Sequence, residues 1–247
     1  MKIALLGYGK MGKTIEELAL GRGHEVVLRV NSENAGLLQA EHLKEADVAI
    51  EFSRPETAFA NIKSCLEMGV PVVSGTTAWL DQLEEAKALC SEKEGALFYA
   101  SNFSIGVNLF FRLSRQLAKW MDAYPSYGVR MEEVHHKQKL DYPSGTAITL
   151  AEGILQGVNR LDNWSGTLKG ASGGEEKQEK EGVLKIESVR EEGVPGTHVV
   201  SWESVIDSIE ITHTAHSRKG FAEGALTAAE WLVGRKGFFG MGDMLGK

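Results

Sequence analysis

Two histidines and two lysines fall within five residues of an acidic chain, at His135, His136, Lys137 and Lys139, inside the stretch EEVHHKQKLDYPSGTA that runs from Glu132 to Ala147. Imidazoles titrate near neutrality and ammonium groups carry positive charge, so such a strip can hold carboxylates and deliver a proton. Side chains alternate sides along a regular strand, so His135 and His136 reach one site together only if the strand ends near His136. A lone histidine is more often packed or hydrogen-bonded in a core, and at least one of the two lysines is expected to be a plain surface residue. Adjacent histidines lack the spacing of a helical metal pair, and no cysteine or Glu-x-x-His companion lies nearby, so no metal site is expected.

The strip stops at Pro143-Ser144-Gly145-Thr146. Ala147, Leu150, Ala151 and Ile154 then recur at helical spacing, which puts Ser144, Gly145 and Thr146 at a helix start. Exposed amides there can hold a carboxylate, helped by the two hydroxyls and the helix dipole. A plain N-cap at Ser144 or Thr146 is the simpler use of the same residues, and capping does not exclude anion binding. The chemistry suggested is a small anionic substrate reduced beside a nicotinamide, with a histidine or lysine supplying the proton.

The nicotinamide comes from a second motif, GYGKMG at positions 7–12, which follows a short apolar strand and opens a helix. Gly7 permits the tight turn, Gly9 lets backbone amides approach a pyrophosphate, and Gly12 lets the helix pack on the strand. A ligand-free strand-to-helix turn can show the same pattern, but the position after a strand favours a dinucleotide. The region where an acid would hold the ribose 2′-hydroxyl reads Arg29-Val30-Asn31-Ser32, with no carboxylate until Glu33. Arg29 and Asn31 there imply that NADPH is accepted at least as well as NADH. Two more strand ends, Ser74-Gly75-Thr76-Thr77 and Ala100-Ser101-Asn102-Phe103, offer small and amide residues to the same ligand, or ordinary turn chemistry.

The elements that must position these groups follow from periodicity. Strands are expected over 2–6, 24–30, 48–52, 70–74 and 96–100, with helices over 13–21, 55–68 and 80–90, which makes a doubly wound parallel sheet. A long helix follows over 106–121, then strands over 129–136, 183–189, 198–203 and 208–215. The polar stretch 165–181 reads as a surface loop. A last helix over 220–233 resembles those of the first half, so the C-terminus is expected to complete the first domain. The net charge of −7 on 247 residues argues against nucleic acid as a partner. No apolar run approaches membrane length, and the two cysteines, Cys65 and Cys90, lack metal spacing and read as reduced thiols, so a cytoplasmic protein is expected.

Taken with these features, the strip EEVHHKQKLDYPSGTA resembles the signature of the 4-hydroxy-tetrahydrodipicolinate (dihydrodipicolinate) reductase family of the diaminopimelate route to lysine. Further similar segments are EFSRP (51–55), PVVSGTT (71–77), SNFSIGVN (101–108), GTHVV (196–200), ITHTAHSRKGFAEGAL (211–226) and the closing FFGMGDML, so the likeness spans essentially the whole chain. The resemblance implies a Rossmann-type doubly wound parallel sheet over 1–103 and 219–247. It also implies an α+β domain with a mixed sheet over 104–218, for substrate binding and homotetramer formation. It implies His135 as acid/base residue and Lys139 as proton donor. His136, Lys139, Gly145 and Thr146 would bind the dicarboxylate cyclic imine, beside Ser144 of the helix start. Gly7, Tyr8, Gly9, Lys10, Met11, Gly12, Gly75, Thr76, Thr77, Ala100, Ser101, Asn102 and Phe103 would bind NADPH or NADH. Departures from the family are a shorter glycine turn, a short stretch between Asn31 and Ala46, GTTAW for GTTGW, Tyr142 for a small residue, and GTH for GEH at 196–198. A semialdehyde dehydrogenase would need a nucleophilic cysteine in the second domain, and a non-catalytic nucleotide sensor would have no need of the strip.

Overall fold

The computed structural model describes residues 1–34, 40–169 and 181–246. In chain order the elements are β1 (Lys2–Leu6), α1 (Lys10–Gly21), β2 (Glu25–Val30), α2 (Ala40–Leu43), β3 (Val48–Glu51), α3 (Pro55–Glu67) and β4 (Val72–Ser74). A 3-10 turn (Leu80–Gln82) leads into α4 (Leu83–Glu92), then β5 (Ala96–Tyr99), α5 (Ile105–Met121), β6 (Gly128–His135), α6 (Gly145–Leu155) and β7 (Asn163–Leu168). The chain ends with β8 (Val183–Arg190), β9 (Gly196–Glu203), β10 (Ser208–Ala215), α7 (Lys219–Leu232), β11 (Gly237–Phe239) and α8 (Met241–Met244). Two compact units result, one of Met1–Ile105 with the chain from Lys219 onward, the other of Gly106–Arg218.

The first unit is a six-stranded parallel sheet in the order β2-β1-β3-β4-β5-β11. Ile3 to Leu6, Val48 to Ile50 and Val72 to Val73 are buried, the near-continuous apolar run of strands covered on both faces. The order reverses between β1 and β3, which makes their carboxyl ends the place for a ligand. α1 starts at Lys10, three residues before the expected start, because Gly9 is its N-cap and the glycine turn is already the first turn of helix. α3 begins at Pro55 after an extended Arg54, the position where a missing amide costs nothing. The edge strand β11 was not expected, since Gly237–Phe239 is too short to carry a periodic signal.

α7 joins this unit through small residues. Ala222, Ala225, Ala228 and Ala229 are buried with Ile15 and Ala19 of α1 and with Phe98 and Phe103 in one apolar cluster. A side chain at Gly224 would meet the carbonyl oxygen of Phe103 at 1.8 Å, so the helix backbone lies directly on that segment. Arg22 adds ion pairs to Glu230 at 2.9 Å and Glu223 at 3.2 Å.

The second unit is a five-stranded mixed sheet, β10-β9-β6-β8-β7. β9 runs antiparallel to β10 and β6, while β6, β8 and β7 are parallel to one another. Its core packs α5 and α6 on the sheet through Phe110, Ala118, Leu150, Ile154, Leu184, Ile186 and Trp202. β7 corrects the reading of 165–181 as loop: Asn163–Leu168 pairs with β8 along its whole length. Its sequence, NWSGTL, has too few apolar residues to announce a strand, and only the partner's backbone makes it one. Positions 170–180 of that stretch lie outside the described residues. Among the described residues no helix is long and apolar enough to cross a membrane.

Ala78, the residue that departs from GTTGW, adopts φ +61°. That left-handed conformation favours glycine, because a Cβ crowds the following carbonyl. Ala78→Gly is therefore expected to stabilise the first unit by about 0.5–1 kcal/mol. Chemical denaturation of the two proteins side by side checks this; an equal or lower stability of the variant contradicts it.

Candidate active site

The strip is organised by a residue that the sequence alone did not single out. Glu133 is 0% exposed in the middle of β6, on the same face as Met131 and His135. Both its carboxylate oxygens accept from the Ser144 amide at 3.1 Å, and Oε1 accepts from the Ser188 hydroxyl at 2.7 Å. His135 Nδ1 stands 3.3 Å from Oε2, Arg190 Nη2 3.5 Å from Oε1 and His198 Nε2 3.8 Å from Oε2. Register brings these groups together: His198 is directly opposite Glu133 on β9, while Ser188 and Arg190 are the partners of Glu133 and His135 on β8. Burial by itself would raise the Glu133 pKa, but the contacts from His135, Ser144 and Ser188 outweigh it and hold the carboxyl well below the usual range.

The ring of His135 meets that of His198 edge-on, centroids 5.1 Å apart. Gly196 leaves room for it, since a side chain there would come within 3.1 Å of His135 Nε2. Ser144 is the N-cap of α6, accepting from the Ala147 amide at 3.1 Å while its hydroxyl lies 3.2 Å from His198 Nε2. The plain cap and the anion-site readings of Ser144 are thus compatible: the amides of Gly145 and Thr146 precede the capped one and point outward, as at any helix start. The strand ends at His135, and His136 is half-buried with an Nδ1 that has no hydrogen-bond partner.

Arg190 straps the following loop in place, donating from Nε to the Lys139 carbonyl at 3.1 Å and from Nη2 to the Asp141 carbonyl at 2.8 Å. Lys139 Nζ donates to both Asp141 oxygens, at 2.9 and 2.7 Å, and the ammonium holds that carboxyl below its ordinary value. Pro143 rests on the backbone of β7, because a Cβ on Gly166 would meet its ring at 2.4 Å. Lys137 is exposed, and Tyr142 is half-exposed at 49%. Thr197, the residue that departs from GEH, alternates away from His198 and faces Thr214 across the strands at 3.3 Å. Glu133, His135 and His198 have donor atoms within 4.8 Å of one another, a set of types that can ligate metal. Protein donors already occupy both Glu133 oxygens, so we read the cluster as a buried carboxylate, fixed by Ser144 and Ser188, against which the His135 ring packs at 3.3 Å.

The first unit carries the glycine turn. A side chain at Gly7, φ +108°, would meet the Phe52 carbonyl at 2.0 Å, and one at Gly12 would meet the Gly7 carbonyl at 2.3 Å. In front of Gly9 there is open space. The backbone at 9–11 can therefore be approached closely, and the α1 amides there suit a pyrophosphate, so these residues fit a dinucleotide. Lys10 and Met11 form the first turn of α1 beside it. A second buried carboxylate, Glu51 at the end of β3, ties neighbouring strand ends together. It accepts from the Ser53 amide and Thr76 hydroxyl at 2.9 Å and from the Ser74 hydroxyl at 2.8 Å. The Thr76 side chain is thereby held in the structure, and its carbonyl accepts from Trp79 Nε1 at 2.8 Å. Gly75 is required by the Phe52 ring, since a Cβ there would come within 2.2 Å of it, whereas Thr77 and Ser101 are exposed. Ala100 and Phe103 are buried, leaving their backbones as the groups a ligand can reach, and the Asn102 side-chain carbonyl accepts from the Ser104 amide at 2.9 Å. Arg29 faces outward and is paired with Glu16 of α1, and Asn31 closes a turn by accepting from the amides of Glu33 and Asn34. Cys65 and Cys90 are free and buried, and burial pushes both thiols up.

Known proteins resemble this chain over nearly its whole length. Residues 1–103 match the family model described as dihydrodipicolinate reductase, N-terminus, and residues 106–245 the one described as dihydrodipicolinate reductase, C-terminus. A 4-hydroxy-tetrahydrodipicolinate reductase of Christiangramia forsetii is 50% identical over 99% of this chain and 98% of its own length. One from Chromobacterium violaceum is 35% identical over 96% of this chain and 95% of its own. Among solved structures, the dipicolinate-bound dihydrodipicolinate reductase of Paenisporosarcina sp. TG-14 shares the fold with a TM-score of 0.76, at 24% identity and 97% coverage of both chains.

The buried imidazole of His198 makes the second unit acid-sensitive. Burial, aided by the charge of His135, pushes its pKa down to about 4. The unfolded chain takes up that proton near pH 6.5, so this group's contribution is complete above about pH 6.5 and is lost as pH falls towards about 4. The loss is about 3 kcal/mol at about 1.4 kcal/mol per pH unit. Urea unfolding followed from pH 7 to pH 4 should show a steeper decline in the parent protein than in His198→Gln; parallel curves contradict the assignment.

Proposed function

The chain belongs to the dihydrodipicolinate reductase family, and from that premise we propose which residues carry its reaction. It is an oxidoreductase that reduces 4-hydroxy-tetrahydrodipicolinate to tetrahydrodipicolinate in the diaminopimelate route to lysine. Loss of the hydroxyl as water leaves a conjugated cyclic imine, which needs one hydride and one proton. The dinucleotide, NADH or NADPH, supplies the hydride when bound to the first unit.

His135 is the acid/base residue, and Lys139 delivers the proton to the reduced ring. His136, Lys139, Ser144, Gly145 and Thr146 hold the two carboxylates, Lys139 after exchanging Asp141 for the substrate anion. Gly7 to Gly12, Gly75, Thr77 and the backbones at Thr76, Ala100, Ser101, Asn102 and Phe103 hold the dinucleotide, with Arg29 and Asn31 at its adenosine end. The observation that carries this reading is the buried Glu133 carboxylate, which binds the start of α6 and the His135 ring at once. A group so placed fixes the distance between a carboxylate site and a proton donor, as the reaction requires. We also place the protein in the cytoplasm as a homotetramer built on the mixed sheet, as the resemblance implies.

The test is oxidation of NADPH or NADH in the presence of dihydrodipicolinate synthase, pyruvate and aspartate semialdehyde; binding of dinucleotide without turnover would identify a sensor instead. In that assay His135→Gln is expected to lower kcat by on the order of 100-fold or more with a smaller change in KM. Lys139→Ala should lose more, because charge pairing and proton delivery go together. A near-normal kcat in either variant refutes the role given to that residue.

A further inference from the structure

We propose that Glu16 sets the balance between NADPH and NADH by holding Arg29 as an internal counter-ion at the adenosine end of the dinucleotide site. The proposal rests on reading the first unit as the dinucleotide-binding one. The dinucleotide fingerprint takes its acid from the end of β2, next to the ribose 2′-position. Here β2 ends Arg29-Val30 with Asn31 next in the chain, and a carboxylate comes instead from α1, one helical turn beyond the glycine motif.

The arrangement is specific. Arg29 Nε donates to Glu16 Oε1 at 2.8 Å, Nη2 donates to the same oxygen, and Nη1 donates to the Val26 carbonyl at 3.2 Å. Tyr8, between the first two glycines, donates its hydroxyl to Glu16 Oε2, so both carboxylate oxygens are engaged. The guanidinium carbon lies 6.0 Å from the Tyr8 ring centroid, and Lys13 is the other cation near that ring, at 5.9 Å. The Glu16 side chain is 13% exposed and that of Arg29 42%, so the carboxylate sits behind the guanidinium and the open side belongs to the cation. The turn after β2 is closed on itself, with Asn34 Nδ2 donating to the Arg29 carbonyl at 2.9 Å and Asn34 Oδ1 accepting from the Asn31 amide at 2.6 Å. That leaves Arg29 as the cation that β2 offers.

A 2′-phosphate must compete with Glu16 for the Arg29 guanidinium, which the carboxylate already engages. A 2′-hydroxyl carries no charge and meets a pair that is already neutral. Glu16 therefore disfavours the phosphorylated cofactor relative to the plain one, while Arg29 favours it, and the measured preference is the difference between the two. Both residues act through one ion pair, so their effects on the preference are not additive.

Titration calorimetry with NADP⁺ and NAD⁺, in the absence of substrate, tests this in the parent protein, Glu16→Gln, Arg29→Gln and the double variant. The ratio Kd(NAD⁺)/Kd(NADP⁺) should rise about tenfold in Glu16→Gln, the size of one charge-assisted contact. It should fall in Arg29→Gln, and the further change of Glu16→Gln should largely vanish once Arg29 is gone. The ratio of kcat/KM values for NADPH and NADH should move in the same directions. A purely structural role for Glu16 would weaken both dinucleotides alike; a ratio within twofold of the parent in Glu16→Gln overturns the proposal, as does an equal effect of Glu16→Gln with and without Arg29. Should the parent bind neither dinucleotide, the dinucleotide reading falls and the proposal with it; binding of both with an unmoved ratio removes the proposal alone.

Discussion

A carboxylate without solvent exposure has to be surrounded by donors, and in the second unit that requirement shapes everything around Glu133. Its oxygens take the Ser144 amide, the Ser188 hydroxyl and contacts from three cationic or imidazole side chains. Removing any of these leaves a charge in a low-dielectric interior with less to hold it, so β6, β8, β9 and the start of α6 are locked into one arrangement. The His135 ring and the amides at the start of α6 are therefore placed by the same group. One-residue slippage of β6 would turn Met131, Glu133 and His135 to the other face and dissolve the site.

The first unit uses a related device for a different end. Glu51 gathers Ser53, Ser74 and Thr76 at the carboxyl ends of β3 and β4, where an open sheet meets its ligand. The glycines around it are needed for close approach, Gly7 to the Phe52 carbonyl and Gly75 to its ring. Strand ends there are held by side-chain hydrogen bonds, and the ligand is offered mostly backbone. Chemistry by a nicotinamide needs orientation of the ring more than reactive side chains, which suits such a surface.

Much of this was legible because the signals are local. The glycine turn, the Pro55 helix start, the Ser144 cap and the end of β6 near His136 each depend on a few consecutive residues, and the structure shows them at or within a few residues of the expected positions. Glu133 carried one usable signal: it lies two residues before His135 and so shares its face of the strand. β7 carried none, since a polar hexapeptide becomes a strand only by pairing with β8. Arg29 was singled out in the sequence, but its partner on α1 was not, because nothing in the spacing of Glu16 and Arg29 says that a helix face and a strand end will meet.

By itself the sequence determined most of the elements and their order, β7 and the edge strand β11 excepted, together with the helix start and the grouping of histidines and lysines in one strip. Those follow from backbone propensity and side-chain periodicity, which act over a turn or two of chain. Tertiary structure alone decided the company those residues keep: His198 opposite Glu133, Arg190 across the loop of Lys139, Glu16 against Arg29, and Ala78 in a glycine's conformation. Such pairings are set by strand register and by packing between segments far apart in the chain, where a single step of register exchanges one face for the other.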